Sequence, residues 1–135
     1  MVAILVLNKR NAGTRGEYVG RPSPLGNPFK LECESNRDAV IARYEVWLRE
    51  RIAARDRRVC DELNRLYVIA RDSIARDAGL LELVCWCAPK RCHAEVIRKV
   101  LLEVLLEALE RNGFNCLQGQ KGIGNDHHEN RFATQ

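Results

Sequence analysis

Two short apolar runs frame the chain, Val2-Ala3-Ile4-Leu5-Val6-Leu7 near the start and Leu80-Leu81-Glu82-Leu83-Val84 past the middle. Apolar residues at successive positions read as a strand buried on both faces. The pattern predicts a central strand over 2–7 and a second buried strand over 80–86. Residues 8–16 are polar with two glycines and read as a turn region, and Glu17-Tyr18-Val19 as a short strand returning beside the first. Residues 20–29 hold three prolines and two glycines, which excludes helix or interior strand. A helix capped by Ser35 or Asn36 and running to about Arg57 follows, with Val40, Tyr44, Trp47, Leu48 and Ile52 on one face. A second helical pattern covers about 58–77, with Val59, Leu63, Leu66, Tyr67, Ala70 and Ile74 inward. Nothing at 57–60 breaks helix by chemistry, so two helices and one bent helix both fit. Gly79 closes this region. The last helix spans about 93–112, and Asn112-Gly113 is its stop signal. Leu102 and Leu106 widen its apolar face until only a Lys99-Glu103-Glu107-Glu110 stripe is polar, which calls for packing on two sides or a homodimer contact through 94–111.

Together these elements predict one small Rossmann-like α/β domain, a few-stranded central sheet covered by about three helices. The domain takes in 1–114, and 115–135 forms a polar extension carrying His127 and His128. The loops after residue 19 and after residue 84 are expected to meet at one edge of the sheet, where open α/β folds bind ligands.

A length of 135 residues, 46% apolar and 30% charged, is ordinary for a soluble domain. Glu103 and Glu107 interrupt the best candidate membrane span, and the 2–7 run is too short for a signal-peptide core. The expected setting is therefore cytoplasmic and free of membrane, where six cysteines read as thiols or metal ligands rather than a disulfide framework. The net charge of +4 is carried by arginine, with ten between Arg37 and Arg76. Interleaved acids make most of these a solvated helix surface, so the charge supports an anionic partner only weakly.

Chemistry concentrates in Cys85-Trp86-Cys87-Ala88-Pro89-Lys90-Arg91-Cys92-His93, where the second strand hands over to the last helix. Three readings compete. Cys85, Cys87, Cys92 and His93 are candidate ligands for zinc or iron. Against this, the usual spacing is Cys-x2-Cys, and further ligands (Cys33, Cys116, His127 or His128) have to come from afar. Alternatively, the cluster is a reactive thiol or anion pocket, because helix N-terminal amides with Lys90 and Arg91 favour a thiolate at Cys92 and attract phosphate. The Cys-x5-Arg spacing of Cys85 to Arg91 matches cysteine phosphatases, but the loop lacks glycines and Pro89 removes a donor. The third reading is plain core packing, the best account of Cys60. In the 20–29 loop, Arg21 can fork onto a phosphate, Asn27 can read an amide edge or cap backbone, and Gly26 lets the backbone approach a ligand closely.

The segments Val19-Gly20-Arg21-Pro22-Ser23-Pro24-Leu25-Gly26-Asn27-Pro28-Phe29 and Cys85 to His93 resemble the two signatures of domain-of-unknown-function family 4326, found in bacteriophages and bacteria. The resemblance covers roughly 18–100. It implies a site at Gly20, Arg21, Gly26, Asn27, Pro28, Cys85, Cys87, Cys92 and His93, and supplies no activity. The family position of Arg91 is often not basic, the 51–78 helical region is longer than the family's usual spacer, and the tail after Gly113 lies outside the pattern. The leading expectation is an enzyme acting on a phosphate-bearing small molecule or nucleic acid. Gly20, Arg21, Gly26, Asn27, Lys90 and Arg91 would bind the ligand, Cys87 or Cys92 would serve as nucleophile and His93 as general acid or base. The alternative is a non-enzymatic, metal-stabilised or ligand-binding module docking nucleic acid or protein.

Overall fold

A computed structural model describes residues 3–76 and 80–117, and of 109 and 112–117 the backbone alone. Strand β1 (Ala3–Asn8) leads into a single-turn helix α1 (Lys9–Ala12) and then strand β2 (Glu17–Tyr18). After the proline-rich loop and a short 3-10 turn at Glu34–Asn36 come helices α2 (Arg37–Ala53) and α3 (Arg57–Ala75), strand β3 (Leu80–Cys85) and helix α4 (His93–Leu117). The result is a small α/β domain.

The three strands are parallel in the order β1-β3-β2. Two expectations are corrected here. The central strand is β3, not β1, and β2 pairs with β3 rather than lying beside β1. The burial explains why: Leu81, Leu83, Val84 and Cys85 are each at most 2% exposed, whereas β1 leaves Leu5 43% exposed. The strand buried on both faces takes the middle, with four of its six residues buried against one of six in β1. Helices α3 and α4 pack on the sheet, and α2 packs on both of them. Tyr44, Leu48, Leu63, Leu66, Leu83, Ile97 and Leu101 are fully buried between these layers. Each such side chain contributes about 1.5–3 kcal/mol through burial.

Within the expected polar turn at 8–16, Asn8 Oδ1 accepts the Arg10 amide and caps α1, and Gly13 at φ 61° ends it. Helices α2 and α3 are separate. Arg55 adopts φ 59°, and the Asp56 side chain accepts the Val59 amide at 3.2 Å to start α3. The break thus lies two residues before the stretch that reads as unbroken helix. Helix α4 runs through Asn112-Gly113 to Leu117, past the expected stop. Glycine ends a helix when it turns left-handed, and otherwise is carried inside one at a cost of about 1 kcal/mol. Gly79 and most of the 115–135 extension, including His127 and His128, lie outside the described residues. Among the described residues no helix is long and apolar enough to cross a membrane.

Strand register places the site. Asn8 lies opposite Cys85 and Tyr18 opposite Val84, so all three strands end at one edge. The chain leaves β2 into the 19–29 loop and leaves β3 into the 86–92 loop at that shared carboxyl edge, where a parallel sheet bounded by helices forms its crevice.

Candidate metal and ligand site

Above the carboxyl edge lies a cavity of about 310 Å³. Its walls come from the 18–31 segment (Tyr18, Gly20, Arg21, Asn27, Phe29, Leu31), the first turns of α2 (Arg37, Val40, Ile41) and the cysteine segment (Cys85, Trp86, Cys87, Cys92, His93).

Short-range bonds fix each wall. The Val19 amide donates to the Val84 carbonyl at 2.9 Å, carrying the β2–β3 pairing one residue into the loop. The Tyr44 hydroxyl, on α2, donates to the Leu25 carbonyl at 2.6 Å from beneath. The Tyr18 hydroxyl donates to the Arg21 carbonyl, and Asn27 Oδ1 accepts the Phe29 amide. Two glycines are required by close packing within the loop. A Cβ on Gly20 would run into the Tyr18 ring and hydroxyl, and one on Gly26 would lie 2.9 Å from Arg21 backbone atoms. Gly26 therefore serves the loop's own closure rather than approach to a ligand, and it does not line the cavity.

The cysteine segment is held from β1. Asn8 Nδ2 donates to the Trp86 carbonyl at 3.1 Å and the Ala88 carbonyl at 2.7 Å. The Lys90 amide closes a turn onto the Cys87 carbonyl. The outcome is a triangle of sulfurs: the Cys85, Cys87 and Cys92 Sγ atoms all lie within 4.8 Å of one another, with Cys85 and Cys92 at 3.1 Å. These cysteines are free thiols, and the group can hold a metal ion. Tetrahedral zinc, with sulfurs at about 2.3 Å, sets its ligands about 3.8 Å apart, a value this triangle brackets.

Donors around Cys85 favour its thiolate form. The Cys85 thiol is held well below its ordinary range, first by the Cys92 thiol that donates to it and then, against the cost of burial, by the Cys87 and Ala88 amides. Cys92 is pushed the other way because its proton is shared with Cys85 and it is buried. The Ala94 amide donates to Cys92 Sγ at 3.4 Å, so this sulfur also caps the start of α4.

His93 is 7% exposed, and its Nε2 donates to the Val19 carbonyl at 2.8 Å. Burial, with the nearby Arg21 charge, depresses its pKa and keeps the ring neutral, while Tyr44 packs edge-on at 5.1 Å. Its bond to Val19 occupies one ring nitrogen, and the mutually close ligand atoms among the described residues are the three sulfurs without it. Cys33 lies outside that group with its sulfur 3.0 Å from the Ser35 hydroxyl. The Cys116 side chain falls outside the described residues.

Of the expected ligand-binding residues, Gly20, Arg21 and Asn27 line the cavity together with Cys87, Cys92 and His93. Lys90 and Arg91 do not. Lys90 pairs with Glu34 at 3.2 Å, and Arg91 with Asp38 at 2.5 Å and Glu95 at 3.2 Å. The phosphatase-like spacing from Cys85 therefore leads to an arginine engaged elsewhere. Arg37 takes a place in the wall that the motifs did not announce, bonded to Glu34 and to the Arg91 carbonyl at 2.6 Å, with Cys87 in the same wall. Position 37 sits in a run of polar residues where α2 begins, and spacing marks it no more than its neighbours. Trp86 and Phe29, inside the two motifs, complete the wall.

No curated protein and no solved structure matches the chain. The family model described as a domain of unknown function (DUF4326) matches residues 6–103, from the middle of β1 into α4 and through every wall of the cavity, and the chain belongs to that family.

Proposed function

We propose that Cys85, Cys87 and Cys92 hold a zinc ion at the base of the cavity, and that the cavity binds a small anionic molecule beside it. The observation that carries this reading is the convergence of three thiols, from a strand end, a turn and a helix start, on one wall of a ligand-sized hollow. Amide donors to Cys85 and Cys92 support it, since such hydrogen bonds orient metal-bound ligands. Three protein ligands with a further position open are the pattern of zinc sites that do chemistry, where the ion polarises a bound group or lowers the pKa of a bound water. His93, neutral and fixed on Val19, supplies a candidate general acid or base, and Arg21 a cation for a phosphate or carboxylate. A small molecule fits better than a polynucleotide. Arg15, Arg37, Arg49, Arg65 and Arg91 are all paired with carboxylates, so these five offer little free charge to a phosphate backbone.

The lowered Cys85 thiol favours a second reading, a metal-free reactive thiolate. Elemental mass spectrometry on protein purified without chelator or oxygen separates the two. The expected result is about one zinc per chain, lost in Cys85→Ser or Cys92→Ser. A folded, metal-free protein whose thiol reacts rapidly with iodoacetamide at neutral pH would replace the zinc reading with the thiolate one.

A further inference from the structure

We infer that the cavity takes a mononucleotide, its base stacked on Trp86 and its phosphate on Arg21. This names the ligand class for the small-molecule site proposed above and rests on that reading of the cavity, but its residues are not the thiols.

The first support is an unusual indole. Trp86 is 57% exposed although it sits between two cysteines at a sheet edge, and it forms part of the cavity wall. Exposed tryptophan surface gains from a flat ring laid against it, and base–aromatic stacking is worth about 1–3 kcal/mol per base. Phe29 and Tyr18 extend the aromatic lining, and Phe29 is set in place by the Arg43 guanidinium 4.2 Å from its ring centre.

The second support is charge. Arg37, Lys90 and Arg91, three cations close to the cavity, each meet a carboxylate, and Arg43 lies over the Phe29 ring. The Arg21 guanidinium is exposed, belongs to the wall and has no carboxylate partner among the described residues. Its backbone is nevertheless fixed, by the Tyr18 hydroxyl on its carbonyl and by Gly26 packed against it. A fixed backbone with an uncommitted guanidinium suits bidentate capture of a phosphate. Asn27 adds a third element: its Oδ1 is committed to the Phe29 amide, which leaves its NH₂ group as donor to a base carbonyl.

Size selects among ligands that share this chemistry. A hollow of about 310 Å³ is at the small end of ligand sites, room for one base and one phosphate. Inorganic phosphate would leave the aromatic wall unused, and a free base would leave Arg21 unneutralised.

Isothermal titration of the full-length protein as purified tests this, with AMP, GMP, CMP, UMP and dTMP as probes. Ribose 5-phosphate and an eight-residue oligothymidylate serve as controls. We expect saturable one-to-one binding of at least one mononucleotide, with ribose 5-phosphate weaker by about tenfold or more. Arg21→Ala and Trp86→Ala should each weaken that mononucleotide by about tenfold with unchanged melting temperature, since both side chains are exposed. Absence of saturable binding by every mononucleotide overturns the inference, as does ribose 5-phosphate binding equally tightly. An oligonucleotide that binds tighter than any monomer overturns it in favour of single-stranded nucleic acid. Zinc content of the same preparation is read separately. One zinc with no nucleotide binding sinks this inference and leaves the metal site, whereas nucleotide binding without zinc sinks the metal site alone.

Discussion

At the residue scale, Asn8 connects more of the site than any cysteine does. Its Oδ1 caps α1, while its Nδ2 donates to the Trp86 and Ala88 carbonyls on either side of Cys87. Replacing it by Asp preserves the cap acceptor, removes both donors and faces a carboxylate toward two carbonyls. A buried carbonyl left unpaired costs about 1–3 kcal/mol; the Ala88 bond is part-buried and the Trp86 bond is open to water, so the cost here lies at the low end or below. Misplacing groups that support metal ligands typically costs 10–100-fold in affinity. On the proposed zinc reading, Asn8→Asp is therefore expected to keep its circular dichroism yet lose zinc at least tenfold more readily in a chelator competition. Unchanged zinc retention would show that the cysteine segment holds its shape without β1. In the sequence Asn8 is one polar residue in a turn, and nothing local marks a partner eighty positions away. Cysteines and prolines announce themselves because their chemistry is intrinsic. The roles of Asn8 and Arg37 exist only once β1, α2 and the cysteine segment are adjacent.

At the element scale, the 3-10 turn and the start of α2 are tied across the cavity mouth by one carboxylate. Glu34 accepts from Arg37 at 2.9 Å and from Lys90 at 3.2 Å, linking the start of α2 to the cysteine segment. These two cations, Arg37 first, hold its carboxyl down at about 2 from an ordinary 4.5. The folded-state pKa is depressed, so the unfolded chain binds the proton more readily. Any stability from this group is complete above the ordinary value of 4.5, and it is lost as pH falls from there toward 2. Glu34 is exposed, so solvent screens the gain and the expected effect is small. Thermal melts at pH 5 and pH 3 should show a smaller acid-induced drop for Glu34→Gln than for the parent, and equal drops would sink the assignment. Helix boundaries tell a related story about legibility. The apolar faces of α2 and α3 follow from their periodicity, yet their separation depends on Arg55 turning left-handed and Asp56 capping α3. Asp56 is a legitimate N-cap signal, hidden because the apolar rhythm continues across it.

For the whole molecule, the fold class and the meeting of both motif loops follow from two strand-length apolar runs that end in loop chemistry. Strand order does not follow so easily. A pattern apolar at successive positions describes β1 and β3 equally well, and only tertiary packing decides that β3 lies between the others. The same ambiguity affects α4, whose wide apolar face calls either for packing on two sides or for a second copy of the chain. Within one chain, Val96, Val100, Leu101, Val104, Leu105 and Ala108 are buried and Leu102 is half-buried. Leu106 stays 58% exposed, as does Val46 on α2, while Glu103 and Lys99 pair with Arg49 and Glu45 across the groove between the two helices. Charged pairs therefore border this face, and scattered exposed apolar residues are normal on a monomer. Leu106→Lys is thus expected to change stability by no more than about 0.5 kcal/mol, the scale of ordinary surface substitutions. Its mass by light scattering should equal that of the parent, one chain in both cases. A parent that runs as a dimer, and becomes monomeric on this single substitution, would instead make the α4 face an interface and turn the exposed leucine into its anchor.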